Sequence, residues 1–483
     1  MHRSHRRTHV AVAIGGIALA LGTGHVHGAA FALAEENVMG LGNAFAGAAA
    51  TAEDANTIWY NPAGLARLNF TQFEIAVHAI TASAKFNNQG SQAAALQPLG
   101  GNGGDAGSTA LVPNLYASMA INDQWHVGIG INVPFGLKTE YADGWLGRYQ
   151  ALQSKIETIN VNPSVGWRAT KDFWLGAGVN YQKLKATLTN NVNYSGALAQ
   201  GYGQLAAAGQ IPASAVPSLA GATAGLDSFV SNTADDAAWG WNVGAMYSIG
   251  GDANNDNGAA RIGVAYRSKI KYNLTGNANF TNPTPATLTG ALAPFNAAVQ
   301  GVSASINQTR LFNGGINVDI SMPDSASLSY YHRLNERWDI LGDVTWTGWS
   351  TIKQIAIVRT TGTTLGVLPE NFKDTWRLAA GVNYSPTEKV VLRAGVAWDE
   401  TPVNSTDLSP RLPDGDRTWL TLGARYKFSR AINFDVGAAY IWVKDPSINN
   451  AGNPPSVEAN GRVNGTYSNH VSIVSAQMNY RFR

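Results

Sequence analysis

The chain has no cysteine, which excludes disulfides and thiolate metal ligands. Charge is scarce too: 14% of residues are Asp, Glu, Lys or Arg, against about a quarter in ordinary globular chains. A formal net charge of +2 gives no electrostatic basis for binding nucleic acid. After the first residues there is no run of 18 apolar residues, so no spanning helix is encoded. Five of the nine histidines crowd the start (His2, His5, His9, His25, His27); His78, His126, His332 and His470 stand alone. None of these four belongs to a His-x-x-x-His pair or has an acidic pair nearby, and no nucleotide motif appears, so neither a catalytic site, a metal site nor a cofactor is expected.

Arg3, Arg6 and Arg7 precede an apolar run from Val10 to Leu21 and a small-residue stretch ending Val26-His27-Gly28. Basic, apolar and small-residue regions in that order predict a secretory signal over 1–28, cleaved after Gly28. An exported chain with few charges and no spanning helix, yet with 52 glycines and 10% aromatics, points to a closed transmembrane barrel.

The residues alternate as barrel strands require. Ile262, Val264, Tyr266, Ser268, Ile270, Tyr272 and Leu274 are set against Gly263, Ala265, Arg267, Lys269, Lys271 and Asn273, which reads as one strand with the even residues on one face. Trp376, Leu378, Ala380, Val382 and Tyr384 repeat the pattern before a turn at Ser385–Glu388; Val390, Leu392, Ala394, Val396 and Trp398 follow it. Counting a strand on each side of every short turn, from Phe70 to Phe482, gives about 14. The expected fold is therefore all-β transmembrane: a 14-stranded antiparallel β-barrel over 70–483.

The connections opposite the short turns are long, and two are apolar. Residues 196–234 carry Leu205, Ile211, Leu219 and Phe229, and residues 281–311 carry Leu292 and Phe295 at helical spacing. Apolar loops above a barrel suggest a surface for apolar ligand, or helices that pack on each other. Residues 29–69 do not alternate. A segment of that length, rich in Gly, Ala, Phe and Leu, is expected to plug the lumen as a hatch. Luminal Arg261, Arg267, Lys269, Arg377, Arg393 and Arg425 are candidates for a ligand carboxylate, or for pairing with Asp343, Asp399 and Asp435.

Several motifs resemble the FadL/TodX family of outer-membrane long-chain fatty acid and hydrocarbon transporters. They are Phe31-Ala32-Leu33, Gly40-Leu41-Gly42-Asn43-Ala44-Phe45-Ala46-Gly47, Asn61-Pro62-Ala63-Gly64-Leu65, Pro134-Phe135-Gly136-Leu137, Gly147-Arg148-Tyr149, Trp346-Thr347-Gly348-Trp349-Ser350 and Pro410-Arg411-Leu412-Pro413-Asp414-Gly415-Asp416-Arg417-Thr418-Trp419. The resemblance implies a barrel closed by an N-terminal hatch, with ligand captured by the outer loops and passed to an internal pocket. Phe31, Leu33, Phe135 and Leu137 would line that pocket, and Gly42, Phe45, Asn61, Pro62, Ala63, Pro134 and Gly136 would belong to the hatch and its gate. It also implies lateral release where a strand kinks near Pro134, although a proline there also suits a strand that simply ends. One departure is that Arg483 follows Phe482, where such barrels usually end on an aromatic residue.

The resulting expectation is a monomeric, passive uptake channel of the Gram-negative outer membrane. Its partners would be a hydrophobic small molecule (a fatty acid, hydrocarbon or detergent-like lipid) and the surrounding lipid and lipopolysaccharide. The alternative is a general diffusion porin for polar solutes, which would keep a water-filled lumen.

Overall fold

The computed structural model describes residues 30–250 and 259–482. The expected signal over 1–28, most of the Gly250–Gly258 turn and Arg483 lie outside the described residues. Short turns hold their shape through single side chains. Asn122 accepts from the amides of Gln124 and Trp125 (both 2.9 Å), and Asn335 and Ser429 do the same at two other turns.

Fourteen antiparallel strands form one closed barrel. The first seven are β1 Gln72–Asn88, β2 Thr109–Ala120, β3 Trp125–Asn132 continued by Gly136–Glu140, β4 Gln153–Arg168, β5 Phe173–Asn193, β6 Asp227–Ile249 and β7 Ala260–Arg267 continued by Ile270–Thr281. The rest are β8 Gly314–Met322 continued by Ser325–Arg333, β9 Trp338–Thr347, β10 Thr375–Thr387, β11 Val390–Asp399, β12 Arg417–Lys427, β13 Ile432–Val443 and β14 Val463–Arg481. β1 pairs with β14 along its whole length, from Gln72↔Arg481 to Asn88↔Gly465, so the sheet closes on itself. A hairpin of Gln354–Arg359 and Thr364–Pro369 rises from the loop after β9 and touches β8.

Alternation places the apolar residues outward. Val179, Val243, Leu328, Val396, Leu422 and Val474 are exposed, as a lipid-facing band requires. Aromatic pairs flank the band: Trp125–Trp167, Trp338–Tyr384 and Tyr480–Phe482 toward the short turns, and Tyr181–Trp239 and Tyr440–Trp442 toward the long loops.

One strand departs from the sequence reading. Ile262 and Val264 face outward as expected, but Ile270, Tyr272 and Leu274 face inward, and Lys271 and Asn273 are exposed. The cause lies in the register. Between the pairs Asp235↔Thr275 and Asn242↔Arg267, residues 236–241 of β6 lie opposite residues 268–274 of β7, one residue more. An extra residue inverts every side chain beyond it. Ile262 to Leu274 therefore do not share a face, and the even positions change sides at Ser268–Lys269.

Candidate functional site

Residues 30–68 lie inside the barrel as short helical turns: Val38–Leu41, Ala48–Thr51, Thr57–Tyr60 and Pro62–Arg67. Local chemistry explains them. Asn37 caps the first, accepting from the Gly40 amide at 2.9 Å. Asn61 caps the last, accepting from the Ala63 amide at 3.0 Å, with Pro62 at the first helical position. The Asn61 side-chain amide then donates to the carbonyls of Ala49 (2.7 Å) and Ala245 (3.0 Å), fastening the segment to β6.

Wall glycines make room for this packing. A side chain on Gly395 would collide with the backbone of Asn43, on Gly263 with Ala49, on Gly176 with Pro62 and Ala63, and on Gly423 with Gly42. Phe45, in the left-handed backbone region with φ 56°, stacks on Tyr60 and meets Trp419 edge-on.

The luminal arginines hold the plug. Arg377 donates to the Ala44 carbonyl (2.7 Å), and Arg261 donates to the carbonyls of Ala50 (2.9 Å) and Thr51 (3.0 Å). Arg267 stacks on Trp59 and donates to its carbonyl (2.7 Å). Arg393 (3.0 Å) and Arg425 (2.8 Å) share Asp435, and both reach Glu53 of the plug; Arg425 also pairs with Asp54. Lys269 lies half-buried in the β7 interruption rather than in this luminal set. Two plug carboxyls, Glu35 and Glu36, are fully buried, and burial pushes the pKa of each up.

The plug's first described residues meet the interruption of β3. Residues 133–135 of β3 lie opposite residues 158–159 of β4, and pairing resumes at Gly136↔Glu157. Pro134 thus interrupts the strand rather than ending it. Phe135 is held to β4 through the Thr158 hydroxyl, which accepts from its amide (3.0 Å) and donates to its carbonyl (2.7 Å). On the other side the ladder between β2 and β3 stops at Leu115↔Ile131, so Thr109–Asn114 of β2 pairs only with β1. The plug binds the break: the Leu33 amide donates to the Pro134 carbonyl, and the Gly136 amide donates to the Phe31 carbonyl, both at 2.9 Å.

Phe31 is 3% exposed, its ring edge-on to Trp349 (4.8 Å) and Phe135 (6.1 Å). Leu137 and Phe372 belong to the same apolar cluster. A cavity of about 200 Å³ lies beside it, lined by Leu33, Phe45, Pro134, Phe135, Trp349 and Arg377 among others. Phe31, Leu33, Phe135 and Leu137 are thereby brought together with Pro134 and Gly136, while Gly42, Asn61, Pro62 and Ala63 serve the seating of the plug. Sequence reasoning did not single out Trp349, Phe372, Thr158 or Asp414. Asp414 accepts from the Ala30 amide at 2.9 Å and pairs with Arg417 at 2.6 Å. Trp349 and Asp414 lay within quoted motifs; Thr158 carried no signal.

The two apolar loops form helices that pack on each other. Tyr194–Ala207, Val216–Ala222 and Asn296–Thr309 bury Leu198, Ile211, Leu219, Val299 and Ile306 in a shared cluster, with Leu205, Leu292 and Phe295 half-buried at its edge. Phe229 lies apart, exposed on the outward face of β6. Beneath the loops opens a vestibule of about 1050 Å³ lined by Val192, Val230, Phe280, Leu365 and Arg359 among others.

A closed barrel with a lipid-facing band, a filled lumen and a broken wall strand defines a membrane transport barrel. The family described as "Outer membrane protein transport protein (OMPP1/FadL/TodX)" matches residues 19–482. The chain is 30% identical to outer membrane protein P1 of Haemophilus influenzae, over 96% of this chain and 98% of the relative. It is 28% identical to the long-chain fatty acid transport protein of Escherichia coli, over 92% and 94% of the two chains. The solved FadL homologue of Pseudomonas aeruginosa superposes with a TM-score of 0.78 at 25% identity, over 94% of this chain and all of that one. The chain belongs to the OMPP1/FadL/TodX family of outer-membrane transport proteins. It is a β-barrel of the bacterial outer membrane.

Proposed function

We propose that this protein carries hydrophobic small molecules, such as long-chain fatty acids or hydrocarbons, passively across the outer membrane. Residues 1–28 act as a removable signal and residues 29–69 as a hatch. Ligand settles between the loop helices, enters the vestibule and displaces Phe31 from the Phe135–Trp349 pocket. It then leaves sideways through the wall where β2 and β3 are unpaired. The observation that carries this reading is the Phe31 ring seated at the β3 interruption beside a partly apolar cavity. An apolar ligand would gain about 0.8 kcal/mol per methylene buried there. The name of the E. coli relative supports the cargo class.

A filled lumen speaks against a general porin, because the buried ion pairs and small-residue contacts of the plug leave little space for a water column. The test is uptake of radiolabelled oleate by cells relying on this protein, together with mass spectrometry of lipid-like molecules retained on purified protein. Oleate uptake that survives both Phe31→Ala and deletion of Pro134 would refute the route.

A further inference from the structure

Asp399 on β11 lies directly opposite Arg377 of β10 and Arg417 of β12, and all three occupy luminal positions of their strands. Side chains so placed have Cβ atoms about 4.5–5.5 Å apart, within easy reach of an ion pair. Neither pair is made. Among the described residues Asp399 has no hydrogen-bond or ion-pair partner, yet it is buried, and it lines the cavity of about 200 Å³ beside Phe31.

Both arginines are committed elsewhere, and each commitment leads to the plug. Arg377 donates to the Ala44 carbonyl (2.7 Å), and its guanidinium lies 5.8 Å from the centre of the Phe45 ring. Arg417 pairs with Asp414, whose other oxygen accepts from the Ala30 amide (2.9 Å) and the Thr401 hydroxyl (2.7 Å). The commitment of Arg377 is incomplete, because its Nε is buried without an acceptor. A buried carboxylate without hydrogen bonds and a buried guanidinium donor without an acceptor are both costly, and each would satisfy the other. With the plug seated, the wall holds a complementary pair apart.

We propose that Asp399 is the receiving group of a latch whose moving part is Arg377. When Ala44 withdraws, Arg377 turns from the plug carbonyl onto Asp399, and the ion pair formed in the wall offsets part of the cost of undocking. Asp399 is thus a positioning residue that acts on the plug through Arg377. The latch rests on the reading of residues 29–69 as a displaceable hatch. Its sign is distinctive, because removing this wall charge should seat the plug more firmly.

The experiment uses the detergent-purified full-length protein and reads hydrogen exchange at residues 30–47 by mass spectrometry at one pH, with β4 and β5 as internal reference. D399N should raise protection at these residues about tenfold, the loss of one charge-assisted bond from the open state, and should slow oleate uptake by cells. D343N takes a carboxylate from the same cavity that the Ser329 and Thr345 hydroxyls already hold, and should not raise protection. R377Q should lower protection, and adding D399N to it should bring no gain. Unchanged or lowered protection in D399N overturns the proposal. An equal rise in D343N, an equal gain from D399N in the R377Q background, or a rise that extends to β4 and β5 overturns it as well. Protection that rises without slower uptake sustains the latch and counts against the uptake route instead.

Discussion

The backbone amide of Leu33 donates to the carbonyl oxygen of Pro134 at 2.9 Å, giving a carbonyl in the strand break a partner from the plug. With the Gly136–Phe31 bond it forms a short bridge, one residue of plug against one of wall, at Ala32↔Phe135. Two bonds worth about 1 kcal/mol each hold that joint, weak enough to open and specific enough to close again.

Phe31 supplies the remaining hold. Phe31→Ala removes its contacts with Phe135 and Trp349 and should weaken the plug's docking by about 3–5 kcal/mol without touching the barrel ladder. Hydrogen exchange should rise at residues 30–37 and stay unchanged in β10 to β14. Added exchange spread evenly over the barrel would show that Phe31 stabilises the whole fold rather than the joint.

Pro134 is expected to matter through register. Three residues of β3 lie opposite two of β4 at the break, so deleting Pro134 equalises the two sides and favours a continuous ladder. The variant should keep its heat-resistant electrophoretic mobility while oleate uptake falls by at least about tenfold.

The fold was legible because alternation is local: each strand states its own faces, and side-chain turns such as Asn122 and Asn335 mark the short connections. The plug was legible from its lack of alternation. Two features were not. The inversion at Ser268–Lys269 depends on a one-residue mismatch between β6 and β7, which appears only when the strands are paired. The partners of the arginines were also hidden. Arg261 and Arg377 bond plug carbonyls, and a carbonyl oxygen carries no residue-specific mark in a sequence.

Arg425 offers a stability test. Its guanidinium lies between Asp435 and Asp54, so Arg425→Met leaves Asp435 with Arg393 alone (3.0 Å) and Asp54 with the longer pair to Arg481 (3.5 Å). Because each carboxylate keeps a second arginine, the cost should stay below the roughly 3–5 kcal/mol of a fully orphaned buried charge, seen as a lower midpoint of thermal unfolding. Because Asp54 belongs to the plug, ion conductance in planar bilayers should rise in the same variant. A lowered midpoint with unchanged conductance would mean that Asp54 is not what keeps the plug seated.

The plug should loosen as pH rises. Burial, followed in order by weaker opposing contributions from Asn132 and Arg267, leaves the Glu36 carboxyl at about 8 against an ordinary 4.5. A carboxyl raised in the folded state contributes stability that is fully present below its unfolded value and is lost as pH climbs through the folded one. Protection at residues 30–45, corrected for the intrinsic pH dependence of amide exchange, should therefore fall between pH 4.5 and about 8. Glu36→Gln should flatten that dependence, and an unchanged slope would assign it to another group.

The wall glycines that admit the plug carry a consequence for ancestry. Gly176, Gly263 and Gly395 each leave a space that one particular stretch of plug backbone fills. A relative bearing alanine at those points would reject this plug, and this barrel would sit loosely around a bulkier one. Lining and stopper are therefore bound to be inherited together, and an exchange of either between relatives must carry both halves of the fit.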